Sequence, residues 1–133
     1  MKAPLIILWL AAVTFGAFGL AFTIWPGQMA AAVGILLRTP TAQTDFAATY
    51  GGLELGMAAF LVWCAMAPER VVTGLVATGC ALAGFALVRL VWIAANGGFV
   101  APLMWQLAAI ELVAATLAFW GALRAMTAAL PRT

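Results

Sequence analysis

Four apolar segments, at residues 5–25, 46–66, 71–95 and 103–123, constrain this chain more than any other feature. Each is close to the roughly 20 residues that a helix rising about 1.5 Å per residue needs to cross the hydrocarbon of a bilayer. Backbone N–H and C=O groups meet no water there, and the alternation of polar and apolar residues that marks strands is missing, so helices are expected. The expected fold is all-α, a single multi-pass four-helix transmembrane domain over residues 1–133, with the lipid bilayer as its first partner. Composition agrees: 67% of the residues are hydrophobic and 8% are charged, where soluble domains are roughly half apolar. The net charge of +2 is scattered along the chain and offers no basic patch to a nucleic acid.

Turn chemistry separates the segments. "WPGQ" at residues 25–28 ends the first, "APER" at 67–70 makes a tight hairpin, and "ANGGFVAP" at 95–102 joins a helix stop to a following proline. Only the connection over residues 26–45 is long. Its run "MAAAVGILLR" predicts an interfacial helix over 27–38, and Thr44 or Asp45 is expected to cap the second span. The first apolar run is longer than the roughly 7 to 15 residues of a signal peptide core and is read as a retained span. Lys2, Arg70, Arg124 and Arg132 fall on the side of the termini and Arg38 on the other, which predicts that both termini face the cytoplasm. Trp25, Trp92 and Trp105 then form an outer aromatic belt, with Trp9, Trp63 and Trp120 near the inner ends.

Three charges interrupt the spans. Glu54, Arg89 and Glu111 each lie about 9 to 12 Å inside the outer end of a segment at 1.5 Å per residue. A charge at mid-bilayer costs roughly 2.5 to 3.5 kcal/mol, and such groups turn inward and pair. A buried Glu-Arg-Glu cluster, open to the outer side, is therefore expected. Tyr50, one turn above Glu54, together with Gln106 and Asn96, is expected to line a polar funnel leading to it.

The segments also resemble one another. "LELGMAAFLVW" (53–63) aligns with "IELVAATLAFW" (110–120), placing Glu54 on Glu111, and "FGLAFTIW" (18–25) aligns with "FALVRLVW" (85–92). This predicts a duplicated helical hairpin whose copies are related by a two-fold axis along the membrane normal. Arg89 falls on Phe22, so two acids share one base, and either carboxylate is a candidate to hold an exchangeable proton. Gly52 and Gly56 form a small-xxx-small pair suited to close helix contact, with Gly16, Gly19, Gly79 and Gly84 available for the same purpose.

With no histidine, and with Cys64 and Cys80 at different depths, no metal site, disulfide or cofactor is expected. No phosphate-binding glycine loop or nucleophile-base pair is present either. "ATYGGLELGMAAFLVW", "GFALVRLVW" and "IELVAATLAFW" resemble the bacterial four-helix membrane proteins grouped as domain of unknown function 4345, over nearly the whole chain. The Tyr-Gly-Gly-x-Glu segment is the most specific part. The resemblance implies a four-span protein of the bacterial inner membrane and carries no established activity; more loosely, the architecture is similar to that of DoxX-like proteins. Three functional readings stand at this point. The protein binds or moves a proton or a small lipophilic or anionic ligand at the charged layer; or it is an accessory or structural subunit, paired with another membrane protein or with copies of itself; or it is an acid-base enzyme acting on a lipophilic substrate.

Overall fold

The computed structural model describes residues 2–129, with side chains through residue 128. Helix α1 runs Lys2–Ile24 and stops because Pro26 follows, which holds Trp25 at φ −126° and ψ 54°. Pro26 opens the short α2, Pro26–Ala32. That helix ends well short of residue 38: Gly34 takes φ +80°, and the Ile35 N–H returns to the Ala30 carbonyl at 2.9 Å, closing the last turn.

The second span starts earlier than the sequence suggests. Helix α3, Pro40–Phe46, is capped by Thr39, whose Oγ1 accepts from the Ala42 N–H at 3.1 Å. Proline at the first helical position and threonine in extended geometry before it make a complete start signal, so neither Thr44 nor Asp45 is the cap. Thr44 Oγ1 instead donates back to the Pro40 carbonyl. A π-helical segment, Ala47–Gly52, carries α3 into α4, Leu53–Ala65. After a 3₁₀ turn at Pro68–Arg70 come α5, Val71–Ala95, and α6, Pro102–Ala129. Between these two, Gly97 (φ +64°) and Gly98 (φ +80°) adopt the left-handed conformation that side chains resist, and their N–H groups satisfy the Ala94 and Ile93 carbonyls.

Four helical stretches, Lys2–Ile24, Pro40–Ala65, Pro68–Ala95 and Pro102–Ala128, are long and apolar enough to cross a membrane, and only 17% to 33% of each is buried. Ile6, Leu10, Val13, Val91 and Ile110 are among the large apolar side chains left exposed. Water would not tolerate so much contiguous apolar surface, whereas lipid would. Arg132 lies outside the described residues.

The chain divides into two compact units, Trp9–Trp63 and the chain on either side of it. Within Trp9–Trp63, α1 and α4 touch through glycine. A Cβ on Gly19 would come within 2.8 Å of the Leu55 nitrogen, one on Gly51 would collide with Thr23 Oγ1, and one on Gly16 would meet Ala58 at 3.7 Å. Thr23 Oγ1 donates to the Gly19 carbonyl at 2.7 Å, so its hydroxyl is satisfied inside α1. In the other unit, Gly74 admits Leu8 and Cys64, and Gly79 admits the Phe119 ring. Leu8, Cys64, Leu75 and Thr78 are fully buried there, while Cys80 is exposed.

Gly52, Gly56 and Gly84 have open space where a Cβ would stand, so the close contact of α4 runs through Gly51 and Leu55, a neighbouring strip of the same helix. Gly51→Ala should lower stability by about 1 to 3 kcal/mol through overpacking. Gly52→Ala should be neutral or gain up to about 1 kcal/mol from helix propensity. Thermal unfolding of both variants in detergent micelles checks the contrast.

Candidate functional site

Helices α5 and α6 pack along one another, joined by a short connection at residues 96–101. This brings Arg89, near the end of α5, to Glu111 on α6. The guanidinium grips the carboxylate with two parallel hydrogen bonds, Nε to Oε2 at 3.0 Å and Nη2 to Oε1 at 2.6 Å. Such a fork fixes orientation as well as charge. Nη1 reaches Met104 Sδ at 3.5 Å. Met104 lies seven residues before Glu111, about 20° from it around α6, and so shares its face.

Gln106 precedes Glu111 by five residues, about 140° around the helix, and is exposed. Asn96 is exposed as well, and its Nδ2 donates to the Trp92 carbonyl at 2.7 Å, finishing the end of α5. The structure therefore brings neither residue to the Arg89–Glu111 pair.

Among the described residues no hydrogen bond or ion pair joins Glu54 to Arg89 or Glu111. Glu54 belongs to the Trp9–Trp63 unit, and its Oε2 is buried with no hydrogen-bond partner among the described residues. The expected three-member charge cluster is therefore not shown: the described residues form one ion pair, Arg89 with Glu111, and Glu54 takes no part in it. Arg89 gives Nε and Nη2 to the two oxygens of Glu111, and its Nη1 turns to Met104.

One turn before Glu54 on the same helical stretch, Tyr50 belongs to an aromatic set. Phe22, Phe46 and Tyr50 form a mutually packed set, with ring centroids 4.5 Å apart for Phe46–Tyr50, 5.7 Å for Phe22–Phe46 and 5.8 Å for Phe22–Tyr50. Phe18 extends it at 6.3 Å from Phe22. Phe46 is buried, while Tyr50 keeps one side exposed. The glycine contacts explain the placement. With Gly51 against Thr23 and Gly19 against Leu55, α1 and α4 run in opposite directions and set Phe22 beside Tyr50, in the layer that holds Glu54. Tyr50 and Glu54 are four residues apart, about 6 Å along the axis and on one side of the helix.

Two features were not anticipated from the sequence. The π-helical segment ends just before Glu54 and contains Tyr50, Gly51 and Gly52; such segments are rare and frequent at functional sites. Its only trace in the sequence is the Gly-Gly pair, two poor helix formers inside an apolar run. Met104 as a guanidinium contact was signalled by its two-turn spacing from Glu111.

The fold and the ionisable groups within its long apolar helices fit a polytopic helical membrane protein. The family model for a domain of unknown function, DUF4345, matches residues 4–122, and the chain belongs to that family. No curated protein and no solved structure matches it, so the looser likeness to DoxX-like proteins finds no support.

Breaking the ion pair from one side should be costly and breaking it from both sides much less so. Arg89→Met should destabilise by about 3 kcal/mol or more, leaving a charge without its partner. Arg89→Met combined with Glu111→Gln should recover most of that loss. Unfolding free energies around this double-mutant cycle provide the measurement.

Proposed function

We propose that the protein binds or moves a proton or small ligand within the membrane through Glu54, while Arg89 and Glu111 clamp α5 to α6. The observation that carries this reading is the buried Glu54 Oε2 without a partner. An ionised carboxylate so placed loses several kcal/mol of hydration that nothing returns. A neutral acid avoids that cost by taking up a proton, and a cationic ligand avoids it by supplying a counter-charge. Glu111, held by a guanidinium, has neither need. Ionisable residues at membrane depth are functional by default, and a lone acid is harder to explain as scaffolding than a filled pair.

A duplicated hairpin supports the same assignment. Aligned positions share burial: Leu8 and Leu75, Gly19 and Ala86, Gly51 and Ala108, Ala58 and Ala115, and Leu61 and Ala118 are all buried. Against that shared packing, the copies differ where one has Arg89 and the other Phe22. We place the protein in a bacterial inner membrane with both termini cytoplasmic, on the strength of the basic residues and the family resemblance. Arg124 stacking on Trp120, 5.2 Å from the ring centroid, suits an interfacial position at that end of α6.

Dicyclohexylcarbodiimide, an apolar reagent that couples to neutral carboxylic acids, tests this in the purified full chain. Peptide mass mapping should find Glu54 modified and Glu111 spared, with modification lost in Glu54→Gln and newly present at Glu111 in Arg89→Met. Equal labelling of both glutamates, or none at Glu54, would leave the acid a packing element and favour the accessory-subunit reading.

A further inference from the structure

We infer that the ligand of the Glu54 site is a lipophilic organic cation, held by the carboxylate and by the exposed side of Tyr50, a ring that Phe22 and Phe46 hold in place. This rests on Glu54 being the working group and adds the chemical class of what it takes. Three observations converge on it.

The first is the charge balance of the unit. Residues 9–32, which hold α2 and the part of α1 that contacts α4, carry no ionisable side chain, and the rest of the unit offers only Arg38, Asp45, Tyr50 and Glu54. Arg38 lies in the connection before Thr39, outside the helices. No basic side chain stands on the helical elements of the unit, so an incoming cation meets no like charge there and an incoming anion meets no partner.

The second is the aromatic set. Ring faces carry negative quadrupolar potential and attract cations, most strongly where water is excluded. Tyr50, backed by Phe22 and Phe46 and 46% exposed, offers a ring face that phosphonium or quaternary ammonium groups can use without hydrogen bonding. The third is the vacancy in Glu54's hydrogen bonding. A protein-supplied arginine satisfies Glu111, and the residue that aligns with that arginine in the first pair of segments is Phe22. The rings replace a built-in cation by a surface that accepts a transient one.

Tetraphenylphosphonium is the probe, used with the full chain in lipid nanodiscs. Equilibrium dialysis should show saturable binding, reduced at least tenfold in Glu54→Gln and roughly three- to thirtyfold in Tyr50→Leu, with Tyr50→Phe close to wild type. Tetraphenylborate, of the same shape and opposite charge, should not compete. A second measurement needs no variant: saturating tetraphenylphosphonium should protect Glu54 of the wild-type chain from dicyclohexylcarbodiimide. Labelling of Glu54 that the cation leaves unchanged would overturn the organic-cation assignment and leave the proton-binding reading intact. Absence of labelling with and without the cation would overturn both. Binding that persists undiminished in a folded Glu54→Gln would overturn the assignment too, as partition into lipid.

Discussion

A carboxylate removed from water must be given a counter-charge, a proton or a route back to solvent, and this requirement organises the chain around its two intramembrane acids. Glu111 receives a counter-charge from within the protein, a two-point contact with Arg89 at 2.6 and 3.0 Å. Glu54 makes no ion pair among the described residues, and its buried Oε2 has no hydrogen-bond partner among them. In sequence the segment "FALVRLVW" that precedes Glu111 has arginine where the matching "FGLAFTIW" has Phe22.

The approach of α1 to α4 turns that difference into a site. Apolar attraction between helices is weak in lipid, and small residues that permit backbone proximity take its place. Gly19 and Gly51 do this against Leu55 and Thr23. Their spacing fixes the height at which Phe22 meets Tyr50, and Phe46 closes the set from one turn away. Packing, aromatic geometry and the position of the acid are thus consequences of two missing side chains.

Much of this was legible in the sequence. Four helices long and apolar enough to span, and the proline and glycine stops between them, follow from length, hydropathy and turn chemistry, quantities that tertiary contacts hardly alter. The pairing of the charges was not legible. Depth places residues in a layer but says nothing about their direction around the axis, so Gln106 and Asn96 appeared to belong to a site that their angles and hydrogen bonds keep them out of. Among the glycines, Gly19 and Gly79 do make the close contacts expected of them, whereas the second span is approached at Gly51 and not at Gly52 or Gly56; Gly51 and Gly52 differ by one residue and point about 100° apart. A π-helical segment leaves almost no mark on hydrophobic period, and the Thr39 cap was hidden because the apolar run begins six residues after the helix does.

That early start has a mechanical consequence. The helical stretch Pro40–Ala65 has 26 residues, about 39 Å at 1.5 Å per residue, against a hydrocarbon thickness of about 30 Å. The surplus of roughly 9 Å nearly equals the seven polar-rich residues of α3, which is about 10 Å long. An upright helix would therefore lift α3 clear as a rigid stalk among the lipid headgroups. Thickening the bilayer would draw the stalk inward and thinning it would favour a lean, so lipid chain length becomes a handle on the tilt of the helix that bears Glu54.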